Sequence, residues 1–201
     1  MTGTAAYEAY AAEHELPPLV RAALASARES GFAYSCLPEH GELLRVLARG
    51  AGAGVIGETG TGSGVGLAWL ASAAHPDARL ISVERDPERA ARAAELFRDT
   101  PQVRILQGDW RELHAHAPFD LLSLDGGGQG KGSDPAIEPA EWLRPGRLVV
   151  MDDFTPLTSW PPLFEGEVDL VRQRWLDHPR LRATQVNVTP EWSALLATYV
   201  G

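Results

Sequence analysis

An apolar run beginning at Val55 ends in an acid, Glu58, and glycines then stand at alternate positions, Gly60, Gly62 and Gly64. A helix-like segment follows, and a second apolar run closes on another acid, Glu84. No other stretch of the chain constrains its fold so tightly. It reads as a strand, a tight turn, a helix and a second strand, with a carboxylate at the tip of each strand. Glycine lacks a Cβ, so it accepts positive φ and lets the backbone come close to a ligand. An acid after the second strand suits a ribose, because one carboxylate can accept hydrogen bonds from a vicinal diol.

A dinucleotide fingerprint needs glycines at the first, third and sixth positions. Counted from Gly60 the sixth position is Val65, and counted from Gly62 it is Leu67, so the fingerprint fails in both registers. Glu58 would also sit badly beside a pyrophosphate, since two anions in a partly dry crevice repel strongly. It suits a ligand bearing ammonium and sulfonium charge. A nucleoside with a ribose, no phosphate and a cationic tail is S-adenosylmethionine. The cofactor contacts expected from this segment are Glu58, Gly60, Thr61, Gly62, Ser63, Gly64, Glu84 and Arg85.

At 201 residues, with 44% hydrophobic and 22% charged residues, the chain is expected to be one soluble domain with a full core. Residues 1–50 read as an N-terminal helical segment and residues 51–201 as a cofactor-binding α/β core. A net charge of −9 argues against nucleic-acid binding, which needs a positive surface, and against anionic membranes. The single cysteine, Cys36, cannot form an intramolecular disulfide, so no oxidising compartment is needed. The N-terminus lacks a charged-then-apolar leader pattern and no apolar run reaches membrane-spanning length. The expected location is the cytoplasm.

Paired prolines, Pro17 and Pro18, interrupt Ala-rich helical sequence. The run from Pro38 to Gly50 reads as a helix with proline near its first turn and glycine at its end. Strands are then expected at Gly54–Gly57, Arg79–Glu84, Val103–Gln107, Asp120–Leu124 and Arg147–Met151, short apolar runs that suit a parallel sheet buried on both faces. Helices are expected at Val65–Ala74, Pro87–Arg98 and Pro135–Leu143, and the alternation predicts a three-layer α/β sandwich. A further helix is read at Glu165–Leu176. The last two β-like runs, Leu181–Val188 and Trp192–Val200, are too close for a crossover and must form an antiparallel hairpin. A mostly parallel seven-stranded, Rossmann-like sheet ending in such a hairpin is the class I methyltransferase fold.

From about Ser35 onward the chain resembles the cation-dependent O-methyltransferases related to catechol and caffeoyl-CoA O-methyltransferases. Pro38-Glu39-His40-Gly41-Glu42-Leu43-Leu44 is similar to that family's P-E-x-G-x-L-L helix, and Glu58 to Gly64 to its E-x-G-T-G-x-G loop. Glu84 matches the ribose acid, and Gly108-Asp109 the short motif at the adenine. Trp142 to Leu148 is similar to the segment before the fifth strand. Trp110, next to Asp109, is an aromatic that can stack on adenine or serve as core.

The resemblance implies metal ligands at Asp125, after the fourth strand, and at Asp152 and Asp153, after the fifth, where aspartate replaces the family's usual asparagine. Consecutive strand residues point oppositely, so Asp153 joins Asp152 only if the chain turns at once. Three clustered carboxylates resist ionising together, and Mg²⁺, with Mn²⁺ or Ca²⁺ as alternatives, would relieve that. Asp125 is also expected at the cofactor and in catalysis. The family's lysine three residues after this aspartate is missing. A glycine-rich run, Gly126-Gly127-Gly128-Gln129-Gly130, leads instead to Lys131, a catalytic candidate on a loop expected to be mobile. Phe154, Trp160, Pro161 and Pro162 can wall an acceptor pocket or pack down their own loop.

These readings imply an S-adenosylmethionine-dependent O-methyltransferase for a small hydroxylated, catechol-like acceptor. The alternatives are a metal-independent small-molecule methyltransferase of the same fold and a non-catalytic module binding S-adenosylmethionine or S-adenosylhomocysteine. Family analogy implies a homodimer.

Overall fold

The computed structural model describes residues 2–201. Its centre is a seven-stranded sheet in the order β3-β2-β1-β4-β5-β9-β8. The strands are β1 (Val55–Thr59), β2 (Arg79–Glu84), β3 (Val103–Gln107), β4 (Phe119–Leu124), β5 (Leu143–Phe154), β8 (Leu181–Asn187) and β9 (Ser193–Tyr199). β1 to β5 pair in parallel, β9 runs antiparallel to β5, and β8 antiparallel to β9. The parallel strands and the closing hairpin lie within two residues of their expected positions, except β5. β1 and β4 are buried at every residue, as continuous apolar runs require of strands covered on both faces.

One face carries α2 (Pro18–Glu29), α3 (Pro38–Gly50), α4 (Val65–Ala73) and α5 (Pro87–Leu96). α4 is apolar on all sides because α2 and α3 pack over it while it packs on the sheet. Trp69 Nε1 at its centre donates to Tyr7 Oη at 2.8 Å, tying in α1 (Tyr7–Glu13). Gly41 of α3 lies flat on the Trp69 indole, where any Cβ would collide. The opposite face holds a second cluster with Trp110, Phe119, Trp142 and Trp175. At the sheet end away from the glycine loop, Asp120 accepts from Val55 N at 2.8 Å and pairs with Arg144 and Arg147 at 2.6 and 3.1 Å. That buried carboxylate locks β1, β4 and β5 together.

Two expected helices are shortened. Of Pro135–Leu143 only α6 (Pro139–Trp142) is helical. The preceding residues pair with the glycine run, Ile137 N donating to Gly128 O at 2.9 Å, and Leu143 already opens β5. Of Glu165–Leu176 only α7 (Leu170–Leu176) is helical, started by Asp169, whose side chain accepts from Arg172 N. Glu165 and Gly166 instead take positive φ, 52° and 88°, the turn chemistry of a two-residue hairpin. They join β6 (Leu163–Phe164) to β7 (Glu167–Val168). Among the described residues no helix is long and apolar enough to cross a membrane.

Candidate active site

β1 lies between β2 and β4, so the connections leaving β1 and β4 diverge at their carboxyl ends and open a crevice. The glycine loop lines it. Gly60, Gly62 and Gly64 have φ of 88°, 54° and 85°, and Gly60 N and Thr61 N donate to Val83 O at 2.9 and 3.1 Å. Across the switch point Gly60 meets Gly126 so closely that a Cβ on either would lie 2.5 Å from the other's Cα. The crevice has a volume of about 390 Å³, within the range of small-molecule sites. Of the expected contacts, Gly60, Thr61, Gly62, Ser63, Glu84, Arg85, Gly108, Asp109, Trp110 and Asp125 line it. Gly64 does not, serving as the left-handed N-cap of α4.

Glu84 is held from several directions. Its Oε2 accepts from Gly62 N at 2.8 Å, and its Oε1 accepts from Asp86 N at 2.8 Å and from Arg89 at 3.0 Å. Oε2 therefore keeps acceptor capacity toward the crevice, while Oε1 is committed to the protein.

Glu58 is a correction. Expected at the ligand, it is 2% exposed and absent from the crevice lining. Its side chain runs behind the loop toward α4, where a Cβ on Gly66 would meet Glu58 Oε1 at 2.8 Å. Ser82 Oγ donates to Glu58 Oε2 at 2.5 Å and in turn meets Thr61 Oγ1 at 2.6 Å. Burial pushes the Glu58 carboxyl up to about 8, with Ser82 pulling it down and Asp152 and Glu84 adding to the rise. Through Ser82 and Thr61 it supports the loop from beneath.

Asp109 caps the 3-10 helix Trp110–His116 through a reciprocal capping box with Glu112, and its carboxyl is lowered by the Arg111 amide it accepts from. Trp110 is largely core, 9% exposed. It packs on Trp142 with ring centroids 5.8 Å apart and carries the Arg111 guanidinium 4.6 Å from its own centroid. Its indole Nε1 is buried without a hydrogen-bond partner, on the edge of the ring that packs against Gly127.

Asp125, Asp152 and Asp153 come together with ligand oxygens all within 4.8 Å of one another. Asp153 achieves this with φ of 60°, the immediate turn after Asp152 that a shared site demands. Asp152 is 4% exposed and its Oδ1 has no hydrogen-bond partner. Asp125 is exposed as a residue, yet desolvation of its carboxyl raises it above the usual range, and Asp152, Glu58 and Asp153 raise it further. Burial raises Asp152 too, with Asp153 adding to the rise and His40 and Lys131 opposing it. Carboxylate oxygens gathered into one small space are what a hard cation neutralises.

Lys131 reaches this cluster from the end of the glycine run. Its Nζ donates to Asp152 O at 2.9 Å and Asp153 O at 3.1 Å, and lies 4.3 Å from the Phe154 ring centroid. Burial lowers its pKa while the three aspartates oppose the fall. The run expected to be mobile is tied down. Gln129 is buried, donates to Leu124 O, and accepts from Trp175 Nε1 at 2.8 Å. Of the apolar group after the cluster, Phe154 is 3% exposed and belongs to the core, whereas Trp160 is 58% exposed.

Several lining residues carried no sequence signal. Phe32, Tyr34, Ser35 and Cys36 form the crevice's far wall, held by Gly3 N and Thr4 N donating to Ser35 O and Ala33 O. Arg89 and Asp134 complete the rim. His40, the variable position of the P-E-x-G segment, is 3% exposed with Nδ1 unpartnered, and burial lowers its pKa while Asp152 and Asp153 oppose the fall. That variable position was the only pointer to it.

Residues 58–154 match the family model of a methyltransferase domain. The catechol O-methyltransferase of Niastella koreensis is 33% identical over 146 residues, 66% of this chain and 64% of its own length. The chain thus spans less than two thirds of that relative, and 63% of a second one from Mycobacterium. Among solved structures, the O-methyltransferase TomG of Streptomyces achromogenes, determined in complex with SAM, superposes with a TM-score of 0.72 at 22% identity, covering 100% of this chain and 97% of its own. The O-methyltransferase of Bacillus cereus in complex with SAH gives 0.71 at 17% identity, covering 100% and 98%. Residues 58–154 are therefore similar to a methyltransferase domain, the fold is that of class I methyltransferases, and O-methyltransferases are among the proteins the chain resembles.

Proposed function

We propose that this chain is a cytoplasmic, homodimeric S-adenosylmethionine-dependent O-methyltransferase, acting on a small hydroxylated acceptor with a divalent cation held by Asp125, Asp152 and Asp153. One observation carries the reading. Asp125 both lines the crevice and belongs to the acid cluster, so a donor in the first would end beside an acceptor in the second. The residues fit both groups. The loop between Gly60 and Gly126 leaves no room for a Cβ, Glu84 Oε2 retains capacity for a ribose hydroxyl, and Asp152 Oδ1 is an orphaned buried oxygen suited to a hard cation.

When bound, S-adenosylmethionine supplies a methyl carbon activated by its sulfonium, and the cation supplies charge that favours an ionised acceptor oxygen. The glycine loop and Glu84 would hold the nucleoside end, and Trp110 and Asp109, which line the same crevice, would border the base. Asp125, which lines the same crevice, would lie near the donor's phosphate-free tail. Lys131 is our candidate for the acceptor's proton, since burial brings its amine closer to a neutral, basic form. A bound donor would supply a methyl group for transfer to the acceptor oxygen, its carbon–sulfur bonding pair leaving with sulfur. Alignment of these atoms in a line supplies much of the rate.

The test is calorimetric titration with S-adenosylhomocysteine, followed by Mg²⁺ and then a catechol, paired with methyl transfer from labelled donor across a phenol and catechol panel with and without EDTA. Product that disappears with EDTA supports the full reading. EDTA-resistant product favours a metal-independent enzyme. Binding of NAD or ATP with no response to the methyl donor would overturn it.

A further inference from the structure

Asp153 is a strained residue at the centre of the acid cluster. Its φ of 60° lies in the left-handed region, which costs a non-glycine residue about 1 kcal/mol or more unless its surroundings fix it. The conformation accompanies a bulge in β5, where Met151 pairs with Leu195 but Phe154 pairs with Ser193 of β9. β5 thus advances three residues while β9 advances two. This extra residue is what lets successive aspartates serve one site.

Two cations grip the bulge. Lys131 takes the carbonyls of Asp152 and Asp153 and sits over Phe154. The second is Arg172 of α7, 1% exposed, whose guanidinium carbon lies 5.5 Å from the same ring centroid. Arg172 Nη1 donates to Thr155 O at 2.9 Å and Nη2 to Thr155 Oγ1 at 3.0 Å. Its Nε donates to Asp169 Oδ2 at 3.0 Å, and Nη1 also reaches Gln185 Oε1 at 3.3 Å. A buried guanidinium is a costly way to fill space, since a well-packed apolar side chain often does so at least as stably. Here the donors converge on Thr155, two residues beyond Asp153, and link it to α7 and β8. Only the planar fork of arginine can reach both Thr155 oxygens and Asp169 together.

We propose that Arg172 is a positioning residue for the cation seat. It fixes Phe154 and Thr155, and through them holds Asp153 in the left-handed turn that brings three carboxylates to one ion. This rests on the reading that the cluster takes a divalent cation.

The test compares Arg172→Met, Arg172→Lys and Phe154→Leu with the wild-type chain, using Mn²⁺ binding by electron paramagnetic resonance, S-adenosylhomocysteine binding by calorimetry, and amide hydrogen exchange over residues 151–156 without metal. Arg172→Met should weaken Mn²⁺ binding by roughly 10- to 100-fold, the usual effect of removing a partner that orients a metal ligand. Affinity for S-adenosylhomocysteine should hold, and exchange should quicken at the bulge alone. Arg172→Lys should recover part of the Mn²⁺ affinity. Wild-type Mn²⁺ affinity in a folded Arg172→Met chain, or parallel loss of both affinities, would overturn the proposal. If Arg172→Met fails to fold, Phe154→Leu carries the same expectation and the same refutation. A wild-type chain that ignores Mn²⁺ defeats the cation reading, and unchanged exchange at the bulge in a folded Arg172→Met chain defeats the clamp itself.

Discussion

Ser82 Oγ donates to Glu58 Oε2 at 2.5 Å beneath the glycine loop, in a place water does not reach. The Glu58 carboxyl, ordinarily near 4.5, is pushed up to about 8 there, chiefly by burial. Near neutral pH the folded chain therefore holds a proton that the unfolded chain releases. The stabilisation from that proton is complete below the unfolded value and is lost as pH rises through the folded one. The slope within this window is about 1.4 kcal/mol per pH unit. Glu58→Gln keeps an acceptor for Ser82 and removes the titration. Unfolding midpoints of the two proteins in EDTA should diverge in favour of the variant as pH rises from about 5 to about 8. Parallel curves would show that Glu58 ionises freely in the fold.

Gly126 should tolerate no side chain, although its φ is ordinary. A Cβ there would lie 2.5 Å from Gly60 Cα and 2.9 Å from Gly60 N, and backbone cannot step aside as a flexible side chain can. Gly126→Ala should cost about 1–3 kcal/mol, as overpacking does. It should also weaken S-adenosylhomocysteine binding, because the displaced strand end carries the glycine loop that lines the crevice. Thermal unfolding and calorimetry measure the two effects, and an alanine variant matching wild type in both would refute the close approach.

Glu84 is fixed by Gly62 N, Asp86 N and Arg89, so its charge organises the loop as well as any ribose. Glu84→Gln must turn an amide donor toward one of these donors. We expect a loss of roughly 10- to 100-fold in S-adenosylhomocysteine affinity, or about 1.4–3 kcal/mol for charged hydrogen bonds broken. Unchanged affinity in calorimetry would remove Glu84 from the site.

How far the sequence could lead is clearest at the strand tips. Glu84 and Asp125 were legible because each ends an apolar run, and a carboxylate at the end of a buried strand has few uses besides a ligand or a cap. Glu58 has the same pattern, yet its side chain turns behind the loop. Strand alternation shows that neighbours diverge but not which side meets the crevice. Val168, Val171 and Trp175 satisfied a helical spacing across Glu165–Leu176, and Gly166 overrode it by supplying a hairpin turn. Phe32 to Cys36, His40 and Arg172 were hidden for another reason. They approach the site from elements distant in the chain, and no local pattern encodes that meeting.

Asp152 shows the opposition between folding and function most directly. Its Oδ1 is buried without a hydrogen-bond partner, a cost of about 1–3 kcal/mol, and burial, with Asp153 beside it, raises its carboxyl. Asp152→Asn removes the charge that the metal-free fold accommodates poorly. In EDTA the variant should unfold at a higher temperature than wild type, by about 2–4 °C for each kcal/mol relieved in a chain of this size. Mg²⁺ should then reverse the order. A cation at 100 times its dissociation constant adds about 2.7 kcal/mol to whichever fold binds it, and only the wild type keeps all three carboxylates. Differential scanning calorimetry with EDTA and with excess Mg²⁺ reads both halves. If Mg²⁺ raises the two midpoints equally, Asp152 is no cation ligand, and the acid cluster owes its strain to something other than metal binding.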